Sequence, residues 1–420
     1  MNKSKMLNWA KDLFPIYRSI TGNGTRKTLS YFEKINPELK RLKFKTGKKV
    51  FDWVIPKEWN IDDSYIEHES GRRFAEFKKC NLHIVGYSSA INKKISKNKL
   101  LEHVYTQKNQ KNAIPYVTSY YKQRWGFCMS ENQKKKLPKG NYKVVIKSSL
   151  KKGTLDLSHA ILKGKNKKEI FFTSYICHPS MANNELSGPV LLNKIMQYIK
   201  LNYPNRKYTY RFVLAPETIG AIAYLSKFIK ILKSNVICGF NLTMVGDERA
   251  YSYTSSRKGN TIADDAMKSA LMGLKNVKMF SFLDRYSDER QYCSPGIDLP
   301  LCSFSRSRKY PEYHTDKDNF NVVTEKGLEG SFQVIKKIID CIEMELYPKT
   351  NILAEPNLGK RGLYPTLSQK GNHNSVQIRM GLISQADGDT NIFKISQLLK
   401  KPLKLICNEY KLLKSKKILK

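Results

Sequence analysis

The strongest constraint on the fold is a stretch near the middle of the chain. In residues 170–176 a threonine and a serine interrupt an otherwise apolar run, as in a strand buried on both faces of a parallel sheet. The run stops at Cys177-His178-Pro179, because proline cannot continue a hydrogen-bonded ladder. Apolar residues then recur at helical spacing through residues 187–202. Strand, polar loop and helix in this order place His178 at the carboxyl end of a sheet, where such folds bind ligands.

The same alternation continues from residue 168 to residue 350. Predicted strands at 208–214, 236–245 and 299–305 are separated or followed by predicted helices, of which 219–232 and 324–346 are the longest. Strands that alternate with helices indicate a doubly wound α/β structure with a mostly parallel sheet.

Two other regions have a different character. Residues 45–163 contain short, alternating, turn-bounded apolar segments, which predict an inserted β-rich domain. Residues 391–420 contain two short amphipathic stretches on either side of a Lys-Pro pair and end in an apolar pair, which predicts a small winged helix-turn-helix. We therefore predict a catalytic α/β domain of residues 1–44 and 164–350, an insert of residues 45–163, and a linker with a winged helix at residues 351–420.

Aromatic residues are concentrated in one part of the predicted insert. Tyr120 and Tyr121 are followed closely by Trp125 and Phe127. A cluster of this kind is typical of a small hydrophobic core. The alternative is a lip over the active site.

The chain carries a formal net charge of +39. Of its 75 basic residues 59 are Lys and 16 are Arg, a bias that an AT-rich genome produces without selection for function. The alternative is attraction to an anionic partner. Residues 391–420 hold nine Lys and one Glu, so a winged helix on DNA is an open but less favoured alternative.

Cysteine usage and apolar patterning suggest a compartment. The eight cysteines are scattered and form no CxxC pair, so we expect reduced thiols and a cytoplasmic protein. No apolar segment follows the basic residues 1–5, and no window approaches the ~20 apolar residues of a membrane span. A homo-oligomer remains an open expectation.

Polar residues recur just after the predicted strands, where the ligands of a parallel sheet converge. Five clusters have this placement: His178; Asn183-Asn184-Glu185; Glu217; Asp288-Glu289-Arg290; and His314 with Asp316 and Asp318. Histidines and carboxylates without a thiolate form the ligand set of catalytic zinc or of a two-metal hydrolase. A carboxylate that is not a ligand can serve as general base.

Several longer motifs resemble the aminopeptidase-like proteins linked to polysaccharide biosynthesis, in the zinc aminopeptidase and glutaminyl cyclase superfamily. The motifs are His178-Pro179-Ser180, Leu186-Ser187-Gly188, Pro216-Glu217-Thr218-Ile219-Gly220, Ser287-Asp288-Glu289-Arg290-Gln291-Tyr292-Cys293-Ser294-Pro295-Gly296 and Tyr313-His314-Thr315, with Asp52-Trp53-Val54-Ile55-Pro56 in the insert and residues 359–365 near the C-terminus. The resemblance implies that His178, Asp288 and His314 are metal ligands. It also implies that Glu217 is the general base or a further ligand, and that the cofactor is zinc, as one or two ions.

One position departs from the family pattern. Relatives carry Asn-Asp-Asn before Leu-Ser-Gly, with the Asp as a metal carboxylate, and Asn184 occupies that position here. A neutral amide oxygen can coordinate a metal, but it holds two cations together poorly. Either Glu185 compensates, or the site holds one metal, or hydrolysis has been lost.

The favoured function is a zinc-dependent amide or peptide hydrolase that acts on a small aminoacyl or acyl-amino substrate, in polysaccharide biosynthesis if the resemblance extends that far. The alternatives are a degenerate protein that binds a ligand without hydrolysis, and a DNA-binding regulator with the α/β domain as sensor.

Overall fold

The computed structural model describes residues 5–364 and 374–420. Its helices are α1 (Lys5–Leu13), α2 (Asn23–Ile35), α3 (Lys97–Leu101), α4 (Glu131–Lys135), α5 (Ser187–Asn202), α6 (Ile219–Asn235), α7 (Ile262–Leu271), α8 (Glu289–Tyr292), α9 (Glu325–Glu345), α10 (Asn374–Ser384), α11 (Ile392–Leu398) and α12 (Leu403–Ser415). The strands are β1 (Lys40–Lys45), β2 (Lys49–Val50), β3 (Trp53–Val54), β4 (Glu58–His68), β5 (Arg73–Phe74), β6 (Ile91–Ser96), β7 (Val104–Tyr105), β8 (Phe127–Cys128), β9 (Asn141–Lys151), β10 (Thr154–Leu162), β11 (Glu169–Tyr175), β12 (Thr209–Ala215), β13 (Val236–Leu242), β14 (Tyr251–Thr254), β15 (Val277–Phe280) and β16 (Leu301–Ser305).

The centre of the molecule is an eight-stranded mixed sheet in the order β1-β10-β12-β11-β13-β16-β14-β15. Its four middle strands, β12, β11, β13 and β16, are parallel, while β1, β10 and β14 join through antiparallel pairings. The predicted α/β fold class is confirmed. The parallel part of the sheet is the part from which the predicted site residues emerge.

The strand predicted from residues 170–176 is β11, and all seven of its residues are buried. Its side chains alternate between two helical layers, as a strand covered on both faces requires. Phe172 packs into the core with α1, α5, α7 and α9, whereas Phe171 packs into the core on the side of α6.

The helix that follows β11 approaches the sheet closely at Gly188. A Cβ atom added there would lie 2.3 Å from Ser174 Oγ and 2.5 Å from Leu242 O. Glycine is therefore required for α5 to start against the ends of β11 and β13, which gives the Leu-Ser-Gly motif a packing reason.

The insert is β-rich, as predicted. It contains a four-stranded antiparallel sheet in the order β5-β4-β9-β6 and two short pairs, β2-β3 and β7-β8. However, β10 belongs to the central sheet, where it pairs with both β1 and β12. The residues of β10, assigned to the insert from sequence, are thus part of the α/β layer. Their short alternating pattern resembled that of the insert strands because β10 lies in the antiparallel part of the sheet.

The C-terminal helices α10, α11 and α12 share a core with the α/β domain. Ser269 Oγ in α7 donates to the carbonyl of Phe393 in α11 at 2.7 Å, and the Gln397 side chain donates to the carbonyl of Asp265 at 3.0 Å. The backbone of Thr350 donates to Ala386 and is paired with Leu419, so residues just after α9 complete the wing. The winged helix therefore docks firmly on the α/β domain.

No helix within residues 5–364 and 374–420 has the length and apolar character needed to cross a membrane. The eight cysteines are free thiols. Residues 1–4, which belong to the basic start considered for a targeting signal, and Pro365, the end of one family motif, lie outside the described residues.

Candidate active site

A cavity of about 450 Å³ opens at the carboxyl edge of the parallel strands. Four residues of the predicted polar clusters, His178, Glu217, Arg290 and His314, line it, whereas Asp288 does not. A larger groove of about 850 Å³ runs between the N-terminal segment and the insert, but it contains none of the residues predicted as metal ligands or base. The smaller cavity is therefore the candidate active site.

His178 is held in place by the carboxylate of Glu185. The backbone N–H groups of Cys177 and His178 both donate to Glu185 Oε2, the latter at 2.6 Å, and His178 Nδ1 lies 3.3 Å from the same oxygen. A carboxylate at Nδ1 keeps the proton on that nitrogen and leaves the lone pair on Nε2, the arrangement common in metal-binding histidines. His178 Nε2 is thus left as a free donor atom beside Glu217.

Glu185 is in turn fixed by Arg18, which comes from the segment after α1. Arg18 Nε lies 2.5 Å from Glu185 Oε1, and both side chains have no exposed surface. The same guanidinium donates to the carbonyls of Leu13 and Pro179, at 2.7 and 3.0 Å. Both oxygens of Glu185 thus accept N–H donors of the protein, which favours a role in holding His178 over a role as a metal ligand.

Glu217 and Asp288 lie on neighbouring loops of the site. His178 Nε2 is 4.0 Å from Glu217 Oε2, and the backbone N–H of Thr218 donates to Asp288 Oδ1 at 2.7 Å. Asp288 Oδ2 is buried and has no hydrogen-bond partner among the described residues. Burial raises the pKa of both carboxyl groups, and the Glu217 charge raises that of Asp288 further. Two carboxylates crowded in this way are stabilised as anions by a bound cation.

His314 approaches the same point from the opposite side. Its ring centre lies 5.3 Å from that of His178, and its Nε2 is buried without a hydrogen-bond partner in the described part of the chain. Burial lowers the pKa of His314 to about 3, so its imidazole is neutral at physiological pH and its lone pair is free for a metal.

The insert contributes to the site through Tyr116. The Tyr116 backbone N–H donates to the carbonyl of His314 at 2.8 Å, and the Tyr116 ring centre is 5.3 Å from the rings of both His178 and His314. Tyr120 and Tyr121 also line the cavity, whereas Phe127 packs inside the insert. The aromatic stretch therefore supplies both the core and the lip that were considered as alternatives.

Asn184 lies in a π-helical turn, Ala182–Leu186, with φ −109° and ψ 77°. Its side-chain oxygen accepts a hydrogen bond from the Tyr175 hydroxyl, and its backbone N–H donates to Asp318 Oδ2 at 2.8 Å. One lone pair of the amide oxygen is thus already used within the protein. The side chain at the position predicted to ligate metal is thus hydrogen-bonded to β11.

Two residues of the site have unusual backbone conformations. Thr218 has φ 63° and ψ −79°, and His314 has φ 56°. Such a conformation is unfavourable for a β-branched residue such as threonine, and strained residues of this kind concentrate at functional sites. The strain at Thr218 places its N–H on Asp288 and its side chain beside the cavity.

The donor chemistry suits zinc, with one qualification. Among the described residues, Cys177, His178 and Glu185 form a group of side chains of the types that bind metals. Their donor atoms all lie within 4.8 Å of one another. Two of its members are less suitable, because both oxygens of Glu185 already accept N–H donors and burial raises the pKa of the Cys177 thiol well above its usual value. The free donors are His178 Nε2, His314 Nε2 and Asp288 Oδ2, with Glu217 beside His178, but among the described residues no three of these four meet the same 4.8 Å condition.

Sequence reasoning found the side chains that surround the cavity but missed what holds them. The sequence around Arg18 and Tyr116 does not indicate their roles, since both contact residues that are distant along the chain. Asp316 and Asp318, grouped with His314 from sequence, have supporting roles: Asp316 Oδ1 accepts the Ile114 N–H and Asp318 accepts those of Asn183 and Asn184.

A mixed sheet with this cavity at its carboxyl edge, an inserted β domain and a docked winged helix defines an aminopeptidase-like α/β protein. The chain belongs to the family described as "Domain of unknown function (DUF4910)", whose model matches residues 7–345. A winged helix-turn-helix model matches residues 345–420.

Comparison with individual proteins agrees with this assignment. The chain is 38% identical over 396 residues to a Clostridium acetobutylicum protein named "Putative polysaccharide biosynthesis protein with aminopeptidase-like domain", covering 93% of this chain and 90% of that one. A crystal structure of a "putative peptidase" from the same organism has a TM-score of 0.91 and 35% identity, with coverage of 100% and 96%. BSAP, a zinc aminopeptidase from Bacillus subtilis, has a TM-score of 0.57 and 12% identity over 80% of this chain and 94% of that one, a likeness of fold.

Proposed function

We propose that the chain is a zinc-dependent hydrolase of an amide bond in a small aminoacyl or acyl-amino substrate. The observation that carries the proposal is the Glu185–His178 pair, which leaves His178 Nε2 free and facing the cavity beside Glu217. A histidine oriented by a buried carboxylate is the arrangement expected of a metal ligand.

The residues divide into distinct roles. His178, His314 and Asp288 would hold the metal, since each offers a donor atom that its protein neighbours leave free. When bound, zinc polarises the scissile carbonyl and lowers the pKa of water. Glu217 lines the cavity and would move the proton between the attacking water and the leaving amine.

The fold of BSAP supports zinc as the metal, and the name of the Clostridium relative supports a substrate from polysaccharide biosynthesis, such as an acylated amino sugar. The eight free cysteines support a reducing, cytoplasmic location.

The direct test is a metal analysis of the purified full-length chain together with a screen of aminoacyl-amide and acyl-amino substrates. We expect about one zinc per chain, turnover of at least one substrate, and loss of turnover on chelation that added zinc restores. A protein that binds zinc without any turnover would favour the ligand-binding alternative, and one that binds no metal would overturn the proposal.

The metal count depends on Asn184. A carboxylate between two dications offsets their repulsion, and a neutral amide already bonded to Tyr175 does not. We therefore expect the wild type to hold at most one zinc tightly, and Asn184→Asp to raise zinc affinity or stoichiometry, measured by titration with a metal indicator. Asn321→Asp, at an exposed residue that does not line the cavity, is the control. Two zinc ions at full occupancy in the wild type would contradict this expectation.

A further inference from the structure

The candidate active site contains a cation that neither zinc binding nor proton transfer requires. Arg290, in α8, lines the cavity. Its Nη2 donates to Thr218 Oγ1 at 2.9 Å, while its Nε is buried without a hydrogen-bond partner in the described residues. Within that part of the chain Arg290 forms no ion pair.

Two buried arginines are paired with carboxylates, whereas buried Arg306, which has no ion pair among the described residues, lies over the Tyr251 ring at 3.6 Å. Arg18 pairs with Glu185 at 2.5 Å, and Arg211 pairs with Glu169 at 2.5 Å. A guanidinium presents donors in a planar fork that fits a carboxylate or phosphate through two parallel hydrogen bonds. At Arg290 one nitrogen of the fork donates to a neutral hydroxyl, and no anion among residues 5–364 and 374–420 pairs with the guanidinium.

The walls of the cavity around Arg290 are aromatic and apolar. Trp53, Tyr116, Tyr120, Tyr121 and Ile219 all line it. The Trp53 and Tyr121 rings meet edge to face, with centres 5.7 Å apart, and both remain partly exposed to solvent. Apolar walls with a few placed polar groups are typical of small-molecule sites.

The position of Arg290 relates it to the proposed chemistry. Arg290 contacts Thr218, whose N–H donates to Asp288, and Thr218 follows Glu217 directly. A group bound by Arg290 would therefore lie beside the proposed reaction centre, at a place where its negative charge is matched by a cation and its apolar part meets the aromatic wall.

We propose that Arg290 binds a compact oxyanion of the substrate, a carboxylate or a phosphate, next to the scissile amide, while the aromatic wall binds an adjoining apolar or planar group. This inference rests on the proposed function. It narrows the substrate class to acidic acyl-amino compounds, such as N-acyl amino acids or phosphorylated amino sugars.

A purely structural role for Arg290 is the alternative. The Arg290 charge lies near Glu217 and Asp288 and favours their ionised forms, so its loss would change the electrostatics of the site in any case. That role, however, gives no preference between an anionic ligand and its neutral analogue. Selectivity is therefore the property to measure.

The test uses equilibrium binding, measured by calorimetry on the full-length chain with its native metal. The probes are N-acetylphenylalanine, its neutral carboxamide and phenyl phosphate. We expect at least one acidic probe to bind wild type about tenfold or more tightly than the carboxamide, and Arg290→Gln to weaken that acidic probe about 10- to 100-fold while the carboxamide changes by less than about twofold. Which acidic probe shows the larger effect distinguishes a carboxylate from a phosphate.

Two further variants keep the result interpretable. Arg285→Gln removes an exposed cation that lies 5.2 Å from the Phe282 ring and should leave all affinities unchanged. Arg290→Lys keeps the positive charge without the planar fork and should cause an intermediate loss of affinity for the acidic probe. This variant replaces Arg290→Gln in the test if Arg290→Gln does not fold.

Three outcomes would overturn the inference. Arg290→Gln could weaken the acid and the carboxamide equally, or it could keep the preference for the acid because the metal binds the carboxylate. The third outcome is that neither acidic probe binds at millimolar concentration. Because binding is measured without turnover, these outcomes are separate from failure of the proposed function. If the protein selects acidic probes through Arg290 but hydrolyses no substrate, the anion-binding inference stands and the proposed hydrolase function fails.

Discussion

Replacing Arg18 by methionine is expected to lower the free energy of unfolding by about 3–5 kcal/mol. Methionine approximates the aliphatic part of arginine but leaves the Glu185 carboxylate buried without its cation, 2.5 Å from where Arg18 Nε had been. Removing one partner of a buried pair is costly because the remaining charge stays desolvated. Domains have total stabilities of about 5–15 kcal/mol, so a loss of this size is a large fraction of the whole.

The same substitution should also disturb the metal site. Glu185 binds the backbone of Cys177 and His178 and orients the His178 ring, so a Glu185 that takes up a proton or moves towards water no longer fixes the His178 tautomer. We therefore expect weaker zinc binding by Arg18→Met even at temperatures where the chain remains folded.

Arg73→Met is the matched control. Arg73 pairs with Glu67 at 2.8 Å, but the Arg73 side chain is 47% exposed. Exposed pairs contribute about 0–1 kcal/mol because water and salt screen them. Urea unfolding of the wild type and the two variants measures the difference. A loss below about 1 kcal/mol for Arg18→Met would show that the buried pair does not have the stabilising role assigned to it.

The sequence predicted best those features that depend on local pattern. The apolar run of β11, the helical spacing of α5 and the long helix α9 are visible as periodicity, because a strand buried on two faces and an amphipathic helix impose different repeats. The same reasoning predicted that His178, Glu217 and His314 lie near one another, and all three line the cavity, since parallel strands bring their carboxyl ends to one edge.

Features that depend on pairing between distant residues were not predictable in this way. Arg18 and Glu185 are 167 positions apart, and nothing near either residue indicates that they meet. The strand β10 shows the same limit, because its alternating pattern fits an insert strand as well as the antiparallel part of the central sheet. Local pattern identifies an element, whereas its partner is decided by the packing of the whole chain.

The Asn183-Asn184-Glu185 run shows how a structure can decide between hypotheses. From sequence, Glu185 was a possible replacement for the missing carboxylate at Asn184. In the structure its oxygens accept N–H groups from Arg18, Cys177 and His178. The Glu185 carboxylate is present, but its contacts are with His178 and Arg18, so it holds a proposed ligand in place.

Glu217→Gln is expected to lower kcat/KM about 10²–10⁴-fold on whichever substrate the screen identifies, because glutamine keeps the shape of the side chain but cannot accept a proton. The zinc content decides which of its two possible roles Glu217 has. A general base leaves the zinc content within about twofold of the wild type, whereas a metal ligand lowers zinc content and activity together. Glu248→Gln, at an exposed carboxylate paired with Lys326, is the control and should leave both unchanged.

We expect Glu217 to behave as a general base. His178 Nε2 lies 4.0 Å from Glu217 Oε2, which is beyond hydrogen-bond reach but close enough for both atoms to face one water. Unchanged activity in Glu217→Gln would remove Glu217 from the reaction and leave the strained Thr218 loop without a catalytic purpose.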